Sequence, residues 1–285
     1  MTNIKIVCPT CKNKGQLNVV EDIMKNITRG LLAINVAAGT ICSHNFFVYV
    51  DKNYDIRDYF VADFKVEVPE KRIDKNSLKS MKMLDKEIVD MDLIRLFLPA
   101  TTLTFILKSI TSKKKVALIS NQDFLRDHII NFIQYITQNS FKADVILISD
   151  EDYSKNRKKY NKEYMVFKET KIINNFDKLI DAKKLKIEEQ LVNRFLKNTE
   201  LALSYILLKN DITIAYELCK DIIEIVQNHS GDVKLGKKEL IEAIEKKEGF
   251  KISFVYLEFL LDIIKNYFEF NLSSVSDYFI PGLGL

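Results

Sequence analysis

Tryptophan is absent, histidine occurs only three times, and no glycine lies between Thr40 and Ser230. Each shortage excludes chemistry. Loops that cradle phosphate need glycine so that backbone amides can approach the anion. Neither G-x-x-x-x-G-K-[ST] nor G-x-G-x-x-G occurs, so P-loop and Rossmann-type nucleotide binding are disfavoured. G-x-S-x-G and H-E-x-x-H are also missing, which removes the usual hydrolase and metalloprotease signatures. Three histidines leave little material for a Ser-His-Asp system. His128 falls on an apolar helix face beside Ile129 and reads as a packing residue. His229 falls at a helix end, where a cation suits the dipole.

Long hydrophobic runs are lacking too. No stretch approaches the roughly 18 apolar residues of a spanning helix, and the start, MTNIKIVCPTCK, shows no apolar block after a basic one. A cytoplasmic protein is expected. In a reducing compartment a C-x-x-C pair binds metal or does redox work rather than forming a structural disulfide.

What remains is an ordinary globular balance: 285 residues, 47% apolar, 29% charged, net charge +4. The length suggests two domains, and the small net charge implies no strong attraction to polyanions. The expected organisation is α+β. Residues 1–66 form a β-rich zinc-ribbon-like domain, and the charged stretch 67–77 with Pro69 forms a linker. Residues 78–176 form a small, mostly parallel α/β sheet, and 177–285 a helical region packed on it. In the first part, Ile4–Val7, Gln16–Val20 and Leu31–Val36 read as strands. The run Phe46–Val50, the turn Asp51-Lys52-Asn53 and the segment from Tyr54 onward read as a hairpin over Asn45–Phe64. In the second part, helices around Leu84–Leu98 and after Pro99 precede the blocks VALIS, DVILIS and YMVF, which alternate with helical segments. Asn121 is a candidate N-cap.

The clearest chemistry is a metal site. Cys8-Pro9-Thr10-Cys11 has the spacing of a tight zinc knuckle, with Gly15 placed for the turn back into a strand. Cys42-Ser43-His44 offers two more ligands, since residues two apart in an extended segment face the same way. Three of the four cysteines lie in this small segment. Cys8, Cys11, Cys42 and His44 are therefore the candidate ligands of one structural zinc, His44 being the weakest because a ribbon usually spaces its second pair by two residues. Cys219 reads as a small core residue.

Two clusters of charge admit a chemical reading as well as a plain one. Ser149-Asp150-Glu151-Asp152 follows a strand, where carboxylates could hold a metal, although capping of the next helix explains them more simply. The basic runs Lys113–Lys115 and Lys155–Lys162, with Tyr153, Tyr160 and Tyr164 nearby, could meet phosphates. Solvated faces explain them more cheaply.

The segment Gly39–Tyr59 (GTICSHNFFVYVDKNYDIRDY), with the CPTC knuckle before it, resembles the amino-terminal zinc-ribbon domain of a group of uncharacterised archaeal proteins. That resemblance implies zinc. The segment Leu93–Phe167, with LKSITSKKKVALIS, a long amphipathic helix and DVILISD, resembles the α/β core of DENN modules. It implies binding to a small GTPase and control of its nucleotide exchange, with a zinc ribbon standing where such modules carry a longin-like half. No functional residue transfers from it. The expectation is a non-enzymatic regulatory or adaptor protein with a protein partner, a small GTPase being the specific version. The alternative is a zinc-ribbon nucleic-acid-binding factor in transcription or translation, against which stands the weak charge of residues 1–66, eight Lys/Arg to six Asp/Glu.

Overall fold

The computed structural model describes residues 2–19, 31–36, 39–42, 44, 46–61, 89–181, 184–197, 201–229 and 234–275. The linker 67–77, the Leu84–Ile88 start of the first expected helix and the tail 276–285 lie outside them.

The N-terminal part is β-rich. Strands β1 (Thr2–Val7) and β2 (Lys14–Val19) pair antiparallel from Thr2–Val19 to Val7–Lys14, so the C-P-T-C segment is their hairpin turn. Strands β3 (Leu31–Val36), β4 (Phe46–Asp51) and β5 (Ile56–Val61) form a second antiparallel sheet with β4 in the middle. All six residues of β4 are buried. The run FFVYV is continuously apolar because both of its faces are covered. Phe46, Val48 and Val50 join Ile4, Ile6, Val19 and Val36 in a small core beneath the β1–β2 hairpin. Phe47, Tyr49 and Phe60 point the other way, into the large core that holds Ile94, Leu98 and Leu103. The sheet is thus a middle layer, and the N-terminal part shares its interior with the helices of the second half.

The hairpin expected over Asn45–Phe64 is seen as β4 and β5, but its turn is closed by a side chain. The Asp51 carboxylate accepts the N–H groups of Asn53 (2.8 Å) and Asp55 (2.9 Å) and the Nε of Arg57 (2.9 Å). Those contacts hold Tyr54, rather than Asn53, in the left-handed region at φ 65°.

After α1 (Met91–Phe97) and α2 (Ala100–Thr111), a four-stranded sheet forms from β6 (Lys115–Ile119), β7 (Val145–Ile148), β8 (Tyr164–Lys168) and β9 (Lys171–Asn174), in the order β7-β6-β8-β9. The sheet is mixed: β6 runs parallel to β7 and β8, and β9 is antiparallel to β8. Right-handed crossovers to opposite sides of β6 must place their helices on opposite faces. Accordingly α3 (Arg126–Ile136) packs with α2 over Val116, Leu118, Leu147 and Phe167. Helix α4 (Asp150–Glu163) covers Ala117, Ile119, Ile148 and Val166. Asn121 does not cap α3, which a 3-10 turn at Asp123–Leu125 precedes.

Helices α5 (Lys186–Lys197), α6 (Leu201–Asn228), α7 (Lys237–Glu248) and α8 (Phe254–Asn266) complete the chain. The sequence pattern suggests two helices, one over Leu201, Leu203, Ile206 and Leu207 and one over Ile214, Leu218, Ile222, Ile225 and Val226. They form one continuous helix, and buried Asp211, which falls between the two apolar blocks, is ion-paired with Arg194 of α5 at 3.1 Å. Among the described residues no helix is long and apolar enough to cross a membrane.

Candidate metal centre

The β1–β2 turn brings its two cysteines round by backbone hydrogen bonds. The N–H of Cys8 donates to the carbonyl of Asn13 (2.8 Å), and that of Lys12 to the carbonyl of Cys8 (3.0 Å). Lys12 is the left-handed residue that closes the turn, at φ 63°. Gly15 has a different part from the turn expected for it. It lies within β2, opposite Ile6, and a β-carbon there would collide with the side chain of Ile41. The missing side chain lets the loop 39–42 lie directly on the hairpin. That loop turns at Gly39 (φ 93°), whose N–H donates to the carbonyl of Cys42 at 2.7 Å.

The result is one cluster. A donor atom from each of Cys8, Cys11, Cys42 and His44 lies within 4.8 Å of the others. A tetrahedral site with Zn–S bonds of about 2.3 Å separates its sulfurs by roughly 3.8 Å, so modest closure around an ion suffices. Cys8 is buried, Cys42 half-buried and Cys11 exposed. The N–H of His44 points to Cys42 Sγ at 3.4 Å, as backbone amides do around metal-bound thiolates.

The electrostatics suit a cation. Burial pushes the Cys8 thiol up, but hydrogen bonds from the Cys11 and Thr10 backbone, with the neighbouring thiols, bring it down to about 7. At Cys42 the backbone of His44 favours the thiolate, while burial and the sulfurs of Cys8 and Cys11 oppose it, and the balance rises to about 11. Packed sulfurs cannot all ionise alone, and a divalent ion removes that conflict. The four residues are close enough to bind a metal ion, and a three-sulfur, one-nitrogen set is compatible with zinc.

The other sequence candidates fall elsewhere. Asp150 accepts the ammonium of Lys168 (2.6 Å) and the side-chain amide of Asn121 (3.0 Å), and Lys168 holds its carboxyl below the usual range. Asp152 accepts the hydroxyl of Tyr160 (2.5 Å) and the amide of Asn156 (2.8 Å), while its own N–H caps on Ser149 Oγ (3.0 Å). This is helix capping and cross-bracing. His128 accepts the N–H of Asp90 through Nδ1 (3.1 Å), a packing contact. Cys219 is buried, its thiol raised well above the ordinary value by burial.

Sequence reasoning missed a set of buried charges. Lys108 of α2 lies 2.5 Å from Asp262 of α8 and 3.6 Å from Glu188 of α5, with Lys108 and Glu188 both buried. The only signal was a lysine inside the apolar pattern of α2. No family model, no curated protein and no solved structure matches the chain.

Proposed function

We propose that this protein is a non-enzymatic adaptor or regulatory protein whose N-terminal β-layers are clamped by one structural zinc ion. The observation that carries this reading is the closed donor set. Donor atoms of Cys8, Cys11, Cys42 and His44 lie within 4.8 Å of one another, and four protein ligands would fill a tetrahedral ion's positions, as structural sites do, whereas a catalytic site keeps one for water or substrate. The surroundings agree: among the described residues the core beside the cluster has eight buried members, Cys8 among them, so an ion there would tie the hairpin to the sheet face it covers.

The partner is a protein, and a small GTPase is the class to try first. What supports that choice is the β6–α3–β7–α4–β8 unit, the segment on which the likeness to DENN modules rests. The test is co-purification of the zinc-loaded protein with GTPases of the same organism, followed by nucleotide-exchange assays. Complex formation, with or without faster exchange, supports the reading. Absence of binding across the set removes the GTPase version.

A further inference from the structure

The two basic runs of the sequence meet in the fold. Helix α4 leads directly into β8, whose first residue, Tyr164, pairs with Lys115 at the start of β6. The Lys115 ammonium lies 5.6 Å from the centre of the Tyr164 ring, and Tyr160 packs edge-on against the same ring at 5.8 Å. At the same end of the sheet the Lys114 ammonium sits 5.0 Å from the ring centre of Phe176, which is 36% exposed. Along α4, Lys158, Lys159 and Lys162 are all exposed, and Lys159 is near enough to Asp152 to help hold its carboxyl down. Lys158 and Lys162 are one turn apart on the same face, about 6 Å along the axis. The carboxylates near Lys114 and Lys115, Asp177 (3.2 Å) and Asp144 (3.7 Å), are largely exposed. Such pairs are weak, and a phosphate can replace them.

We infer that this surface binds single-stranded nucleic acid. Lysines at intervals along a helix track a phosphate backbone, and the exposed ring of Phe176 at the end of the sheet offers a stacking platform for a base. A lipid surface fits worse. Helices that lie in a bilayer interface bury aliphatic or Trp/Phe side chains, whereas α4 (DEDYSKNRKKYNKE) contains none, and its buried face is Tyr153 against the sheet. A duplex would present its phosphates but not its base faces, leaving the exposed ring of Phe176 without a role. The surface shares no residue with the metal cluster, so the inference stands apart from the zinc proposal.

The test uses full-length, zinc-loaded protein and a labelled single-stranded RNA of about 20 nucleotides, read by fluorescence anisotropy over a salt series. Contact with three or four phosphates predicts a slope of log affinity against log salt of about −2 to −3. Lys158→Glu/Lys159→Glu/Lys162→Glu should weaken binding at least tenfold and flatten the slope. Phe176→Ala should weaken it several-fold and leave the slope unchanged. Circular dichroism and the melting temperature of both variants should match the parent, since every altered side chain is exposed. No salt-dependent binding by the parent, equal binding by the triple variant, equal affinity for duplex, or binding to phosphatidylserine vesicles but not RNA would each overturn the inference.

Discussion

The hydroxyl of Tyr49, at the centre of β4, accepts the backbone N–H of Ala100 at the first turn of α2, at 3.2 Å. That N–H is one of the donors a helix start leaves without an internal partner. Beside it, Thr101 Oγ1 donates to Asp58 of β5 at 2.8 Å. The sheet that backs the cysteine hairpin therefore also caps the helix that opens the second half. Tyr49→Phe should cost about 1 kcal/mol and Tyr49→Ala about 3–5 kcal/mol, through the cavity left in the large core. Urea unfolding followed by circular dichroism should show one shifted transition. Two well-separated transitions, with the second unmoved, would mean that the halves are independent.

Gly15 predicts a steric test of the metal loop. Gly15→Ala should cost roughly 1–3 kcal/mol by overpacking against Ile41 and should loosen metal retention. Gly15→Ala combined with Ile41→Ala should regain part of the loss. A chelator competition on the three variants checks both points, and a neutral Gly15→Ala would show that the close approach is not required.

Lys108 sits among carboxylates it must neutralise. Burial pushes the Glu188 carboxyl up, and Lys108 offsets only part of that. Removing the lysine strands Glu188, so Lys108→Met should cost about 3–5 kcal/mol near pH 8 and less near pH 5, where Glu188 can take up a proton. Lys108→Met with Glu188→Met should be less damaging than the single change. Denaturation at the two pH values separates these outcomes.

Glu189, the next residue, is raised to about 7 by burial and by the charge of Glu188. The unfolded chain releases this proton near pH 4.3. Between those values the folded state holds a proton the unfolded state lacks, so this residue's contribution falls as pH rises from about 4.3 to about 7. Glu189→Gln should therefore stabilise the protein at pH 8, on the order of 1 kcal/mol after allowance for partial exposure, and change little at pH 4. Melting temperatures across that range provide the check.

Much of this was legible in the sequence, for definite reasons. Cys8, Cys11 and Cys42 announce themselves because thiols are scarce and the C-x-x-C spacing is specific, while His44, a single residue after Cys42, departs from ribbon spacing. The blocks at β6, β7 and β8 stand out as apolar runs between polar helices. The middle-layer position of β4 was written in FFVYV, a strand without alternation, but a lone run does not say what covers its second face. Strand β9 (KIIN) is too short to carry a period, and the left-handed turn before it rests on Glu169 (φ 50°), a residue with no turn signature. The ion pairs Arg194–Asp211 and Lys108–Glu188 join positions far apart in the chain, so their burial could not be foreseen locally.

The central claim is that one zinc ion closes the cluster of Cys8, Cys11, Cys42 and His44. Native mass spectrometry of the protein purified without added metal tests it most directly, with Cys8→Ser alongside. One zinc per chain is expected in the parent, little or none in the variant, with a lower melting temperature for the variant. A metal-free parent with its N-terminal β-layers folded would contradict it.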